Sequence, residues 1–263
     1  MAMLSIGWAT IAAGFAILWW RQTRTRNATS VDAAWTLAIG GLALWFAATG
    51  TGALAQRLTA AVLAGLWSGR LGWHLVRDRV FGHTGEDGRY RALRDHWGAR
   101  ASANFFWFYQ LQAFAAVVFA APFWFIAGHQ ATALTPVQGI GLGVFLIAQV
   151  AEAIADRQLA RFRRDPTQRG RTCRAGMWRY SRHPNYFCEW LSWCGIALVA
   201  LPAAGWLAAV QPVLMLVLVR FVSGVPFNEL QALKSRGDDY RRYQVETNAF
   251  VPWWPRAASR SAR

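Results

Sequence analysis

The chain has 263 residues, 55% of them hydrophobic and 16% charged, with 28 Lys+Arg against 13 Asp+Glu and a net charge of +15. The apolar residues form long runs nearly free of charge, separated by short Arg-rich stretches, which excludes an ordinary soluble enzyme and a disordered basic protein. Three cysteines, Cys173, Cys188 and Cys194, are too few and too irregularly placed for a disulfide framework or a structural zinc site. Basic residues confined between hydrophobic runs also argue against a nucleic-acid partner.

A bilayer core needs about 20 mostly apolar residues per helix. Seven segments qualify: Leu4–Trp20, Val31–Thr49, Leu58–Val76, Asn104–Ala127, Pro136–Ala155, Tyr186–Leu201 and Trp206–Val225. The expectation is an all-α polytopic membrane protein with seven transmembrane helices. The first span lacks a basic start and a small-residue cleavage site, so it reads as retained. The sixth is short, which predicts tilt or packing inside the bundle. The stretches after spans one, three and five and the tail after span seven carry three, six, nine and seven basic residues, against Arg57 alone on the other side. By the positive-inside rule the N-terminus is expected outside and the C-terminus in the cytoplasm, as for a multi-pass protein of a bacterial inner membrane. The whole is expected to be one seven-helix domain. Residues 4–127 form its substrate-side helices, and residues 136–255 its cofactor-side helices and loops.

Ionisable residues inside a span each need a reason, because burial in lipid costs about 2.5–3.5 kcal/mol. Arg70, His74 and Asp78 recur at i, i+4, i+8 and share one face of span three. Asp32 opens span two, as a helix cap or a site residue. Tyr109 and Gln112 lie in span four. Gln149, Glu152 and Asp156 run along the end of span five; Asn185, Glu189 and Ser192 open span six; Arg220 and Ser223 sit in span seven. Most fall near the cytoplasmic ends, which predicts a polar cavity open on that side. The five histidines show no ligand spacing, so no metal site is expected.

From Asp156 to Glu189 the chain is dense in arginine. Arg161, Arg163 and Arg164 follow a helix end, Pro166 and Gly170 break the chain, and Arg179-Tyr180-Ser181-Arg182-His183-Pro184-Asn185-Tyr186 leads into span six. Guanidinium groups recognise phosphate bidentately and stack on purine faces, and a helix N-terminus near Asn185 adds free N–H groups. A nucleotide cofactor suits this composition; a positive-inside loop against anionic membrane lipids is the plain alternative. No GxGxxG follows a strand, so any nucleotide is expected within the membrane domain itself.

The block Arg182-His183-Pro184-Asn185-Tyr186-Phe187 with Glu189-Trp190, preceded by Gly176-Met177-Trp178-Arg179-Tyr180-Ser181, resembles the signature of the steroid 5-alpha-reductase C-terminal family. Val31-Asp32-Ala33-Ala34-Trp35, Gly85-Glu86-Asp87-Gly88-Arg89-Tyr90-Arg91 and the ending Tyr240-Arg241-Arg242-Tyr243 to Phe250-Val251-Pro252-Trp253 look like its uncharacterised bacterial branch. The likeness covers nearly the whole chain. It implies a membrane reductase that binds NADPH, with Asp156, Arg163, Tyr180, Asn185, Glu189 and Arg220 as cofactor contacts. The local reading adds Arg161, Arg164, Arg179, Arg182, His183, Tyr186, Glu229, Tyr240 and Tyr243 as neighbours. The arginine excess favours NADPH over NADH, since a 2′-phosphate gives it a target. The family's Gln-Glu pair in span two and Tyr in span three have no match here: Thr36-Leu37-Ala38-Ile39 and Arg70-Leu71 stand in their places.

The resulting expectation is hydride transfer from NADPH to a C=C bond of a lipophilic small-molecule substrate, an enone-type lipid or steroid-like molecule entering from the bilayer. Arg70, His74 or Tyr109 would stabilise a developing enolate oxygen, and Asp32 or His74 would deliver a proton. The alternative is a methyltransferase using S-adenosylmethionine. Isoprenylcysteine carboxyl methyltransferases are similar in the RHP-x-Y helix start and in the tail from Asn228-Glu229-Leu230 to Tyr240 and Tyr243.

Overall fold

The computed structural model describes residues 2–81 and 85–256, with side-chain placement excepted at 2 and 78–80. Every regular element among the described residues is helical. The long helices are α1 (Ala2–Thr25), α2 (Val31–Thr49), α3 (Leu54–Leu75), α5 (Ala101–Gly128), α6 (Pro136–Arg164) and α7 (Pro184–Ala204). Shorter ones are α4 (Gly88–Trp97), α8 (Val210–Val217), α9 (Val225–Arg236) and α10 (Asp238–Glu246).

Five helical stretches are long and apolar enough to cross a membrane: Met3–Thr25, Val31–Thr49, Gly88–Gly128, Pro136–Arg164 and Pro184–Arg236. α3 is not among them, although it is 22 residues long; Gln56, Arg57, Arg70 and His74 dilute its apolar character. The 53 residues of Pro184–Arg236 far exceed one crossing. α7 runs through Pro202 to Ala204, and the break comes at Gly205, whose φ of +57° L side chains rarely adopt. The seventh expected span is therefore not one helix. It runs as a 3-10 turn (Gly205–Ala209), α8 and a π turn (Leu218–Val222) that carries Arg220. α7 is longer than expected at 21 residues, about 31 Å at 1.5 Å per residue. Large apolar side chains such as Ile17, Leu58, Trp107, Ile147 and Val213 stand exposed along these helices, as contact with membrane lipid requires.

The chain divides into two compact units: 1–135 with 203–205, and 136–202 with 206–263. In the first, α2 packs on α3 and α5, and α1 on α5. Close approach of α2 and α3 depends on Gly40, where a Cβ would lie 2.2 Å from Ser68 Oγ. A polar strap closes one end. Asp87 caps α4 by accepting from Arg89 N–H at 2.9 Å, and Arg94 holds Glu86 at 2.7 and 3.0 Å. Glu86 in turn accepts from the Ala28 N–H at 2.9 Å. In the second unit α6 and α7 touch backbone to backbone: a Cβ on Gly195 would meet Phe145 N at 2.7 Å and Gly141 O at 2.8 Å.

Candidate functional site

In the second unit the arginine-rich loop is tied to the tail rather than left loose. Arg182 N–H donates to Asn248 O, Trp253 N–H to Tyr180 O and Arg256 N–H to Glu246 O, all within 2.8–2.9 Å. Gly176, at φ +60°, lets the chain wrap the Gln158 side chain of α6, which accepts from Met177 N–H at 2.9 Å; a Cβ there would strike Gln158 at 2.4 Å. Tyr243 is 2% exposed and its hydroxyl donates to the carbonyls of Trp178 and Ser181. Tyr240 is likewise buried. Burial raises both phenols above the ordinary tyrosine range, so both stay protonated at neutral pH.

The predicted cofactor residues separate into two groups. One is engaged within the protein. Arg182 donates to Glu229 at 2.6 Å and to the carbonyls of Gln244 and Thr247 at 2.9 and 2.5 Å. His183 Nε2 lies 3.4 Å from the same Glu229 oxygen, and its ring stacks on Tyr186 with centroids 5.5 Å apart. Burial holds His183 below the ordinary histidine value, although Glu229 pulls the other way. Tyr186 accepts from Asn228 at 2.7 Å. Asn185 donates to Asp156 at 3.2 Å, joining α7 to α6. Glu189, 8% exposed, accepts from Trp193 at 3.0 Å. Glu152 on α6 is buried too, and Gln149 donates to Ser192 at 2.9 Å.

The other group is exposed and, among the described residues, outside any ion pair: Arg161, Arg163, Arg164 and Arg179. Tyr180 is half-buried edge-on to Trp254, 5.5 Å between centroids. Arg220, on its π turn, lies over the Phe221 ring at 5.3 Å and near enough to His183 to depress its protonation. A cleft of about 310 Å³ lies beside Arg179, bounded by Arg174, Glu246, Thr247 and Pro255. It takes a phosphate-sized group rather than a whole dinucleotide. Arg174 there is held by Asp239 at 2.8 and 3.2 Å and by Glu246 at 3.0 Å. The sequence reading missed this clamp; the one local signal was the paired Asp238-Asp239 after Gly237.

The predicted catalytic residues lie in the first unit. Asp32 sits in the first turn of α2 but does not cap it; its carboxylate accepts from Arg89 at 2.6 Å and from the Tyr90 hydroxyl. Tyr109 is fully buried, and its hydroxyl has no hydrogen-bond partner among the described residues. Arg70 and His74 are partly buried on one face of α3. The α register ends at Leu75, where a π turn (Val76–Phe81) begins. That turn changes the rotation per residue, so the i+8 step to Asp78 is not an α-helical one. The Asp78 side chain lies outside the described residues.

A family model described as "Protein of unknown function (DUF1295)" matches residues 18–247. An uncharacterized protein of Schizosaccharomyces pombe (strain 972 / ATCC 24843) is 27% identical over 208 residues, 69% of this chain. The match spans 60% of that relative's length. No solved structure matches.

Proposed function

The chain belongs to this DUF1295 family, and on that premise we propose that it is a membrane-embedded, NADPH-dependent reductase acting on a C=C bond of a lipophilic substrate. The family is associated with steroid 5-alpha-reductase-like proteins. The proposal includes seven crossings, counting α3 and dividing Pro184–Arg236 into two, with the N-terminus outside and the arginine-rich loop in the cytoplasm of a bacterium. One observation carries it. Arg161, Arg163, Arg164 and Arg179 are exposed cations without ion pairs among the described residues, while the neighbouring Arg174 and Arg182 are neutralised internally. The unpaired set is what a multiply charged phosphate ligand needs, and the paired set keeps the loop in shape around it.

NADPH bound there would supply the hydride. Arg161, Arg163, Arg164 and Arg179 would hold its phosphates, and Tyr180 would offer an aromatic edge. Asn185, Asp156 and Glu189, at the start of α7 and the end of α6, would orient its polar groups. In the first unit the unpartnered Tyr109 hydroxyl is a donor suited to a carbonyl oxygen. Asp32 already accepts from Arg89 and Tyr90, so it suits proton relay less than His74 does.

The test is thermal unfolding of the purified protein with NADPH, NADH or S-adenosylmethionine. Saturation near 100 Kd stabilises by about 2.7 kcal/mol, roughly 5–11 °C for a protein of this size. NADPH is expected to give that rise and NADH less. Arg163→Ala and Glu189→Gln should weaken NADPH binding about tenfold, while Arg70→Ala spares binding and loses turnover. Stabilisation by S-adenosylmethionine alone would replace the reductase with the methyltransferase reading. Stabilisation by none would remove the nucleotide site.

A further inference from the structure

Within the first unit a cleft of about 580 Å³ opens between the end of α1 and the junction of α4 with α5. Its lining includes Gln22, Arg26, Arg94, Asp95 and Ser102. We propose that it binds the headgroup of a zwitterionic phospholipid, a phosphate diester bearing a primary ammonium.

Three observations lead there. Gln22 is 1% exposed; its Oε1 accepts from Arg94 at 3.0 Å, and its Nε2 has no acceptor among the described residues. Arg94 has only donors to offer, so the amide orientation is set and the orphan atom is a donor. A buried donor left unpaired is destabilising, a penalty an acceptor atom of a ligand would remove. Next, Arg26 and Asp95 both line the cleft, both are exposed, and neither is ion-paired among the described residues. A cation and an anion left apart in one cleft match a ligand that carries both signs. Last, Arg26 holds φ +51°, the sole described non-glycine residue at positive φ. It ends α1 where glycine would sit without strain, so the local backbone gains nothing from arginine.

The depth of the cleft selects a lipid over a free metabolite. The apolar part of α1 ends at Leu18-Trp19-Trp20, immediately before Arg21-Gln22. Trp19 donates to Ser102 O at 2.8 Å and packs edge-on to Phe106, while Trp20 lies under Arg24. Tryptophans at the end of an apolar helix mark the level of the headgroups. The exposed Ile17 and Trp20 just beyond provide a surface for acyl chains. Phosphate oxygens would accept from Gln22 Nε2 and Arg26, and the ammonium would donate to Asp95.

The test is native mass spectrometry of the full chain released from detergent with equimolar phosphatidylethanolamine, phosphatidylcholine and phosphatidylglycerol. The wild type should retain phosphatidylethanolamine about fivefold or more over the other two. Arg26→Gly should cut that retention about fivefold while leaving the unfolding temperature in lipid-free detergent equal or higher, because it relieves the backbone. Asp95→Asn should erase the preference over phosphatidylglycerol. Both side chains are exposed, so both variants should fold. Equal retention of all three lipids, or unchanged retention in Arg26→Gly, overturns the site. Equally tight binding of soluble glycerophosphoethanolamine overturns the lipid as its occupant.

Discussion

Replacing Arg182 with methionine tests whether the loop–tail junction holds the second unit together. The Arg182 side chain is 10% exposed and that of Glu229 17%. The substitution removes the 2.6 Å ion pair and the donors to Gln244 O and Thr247 O. It keeps an apolar stem but strands a carboxylate whose remaining contacts are Gln244, at 2.9 Å, and His183. Breaking one side of a buried pair costs about 3–5 kcal/mol, roughly 6–20 °C in unfolding temperature for a chain of this size. Tryptophan-fluorescence melts in detergent would read it. Adding Glu229→Gln removes the stranded charge, so the double variant should recover about 1–2 kcal/mol relative to Arg182→Met alone. A loss under about 1 kcal/mol, the range of an exposed pair, or simple additivity of the two changes, would refute the reasoning.

Tyr90→Phe deletes a hydroxyl that donates to the Asp32 carboxylate and should destabilise the first unit by about 1.5–3 kcal/mol, read by denaturant unfolding. Gly195→Val places side-chain atoms against Phe145 N and Gly141 O and should cost at least about 1–3 kcal/mol. Gly65→Ala, inside α3 with nothing within 4 Å of the added carbon, should instead stabilise by about 0.5–1 kcal/mol in the same melts. His183 lies before α7 and faces Glu229, with Arg182 and Arg220 also in its field; burial, the larger effect, keeps it below 6.5. The unfolded chain therefore binds more protons than the folded one just under that value. Its contribution to stability is complete above pH 6.5 and is lost as pH falls from 6.5 toward the lower folded value. His183→Gln should flatten that segment of the stability–pH curve.

The apolar helices were legible because bilayer thickness and hydrophobic run length are the same quantity in different units. Val31–Thr49 has the same ends in both readings. Helix ends differ from the ends of the apolar runs where the run stops before the helix does. α6 continues nine residues past Ala155 to Arg164, because Asp156–Arg164 has good helix formers and no breaker before Pro166. α4, α9 and α10 escaped a search for apolar runs, though their punctuation was present. Asp87 stands at the N-cap of α4, Pro226 in the first turn of α9, and Gly237 between α9 and α10. The break at Gly205 and the π turn around Arg220 left no mark on hydropathy, since both occur within apolar sequence.

The arginine-rich stretch from Asp156 to Glu189 could be recognised from residue types alone, because guanidinium density and the RHPNYF block are local properties. Which of those arginines is already neutralised was not local. Arg182 meets Glu229 across 47 residues, and Arg174 meets Asp239 across 65. Composition along the chain dictated that this protein is helical, greasy and positively charged in its loops, since propensity and transfer free energy act residue by residue. Only folding decided which charges cancel and which stay available to a ligand, because a salt bridge depends on distance in space, and no spacing in the chain encodes it.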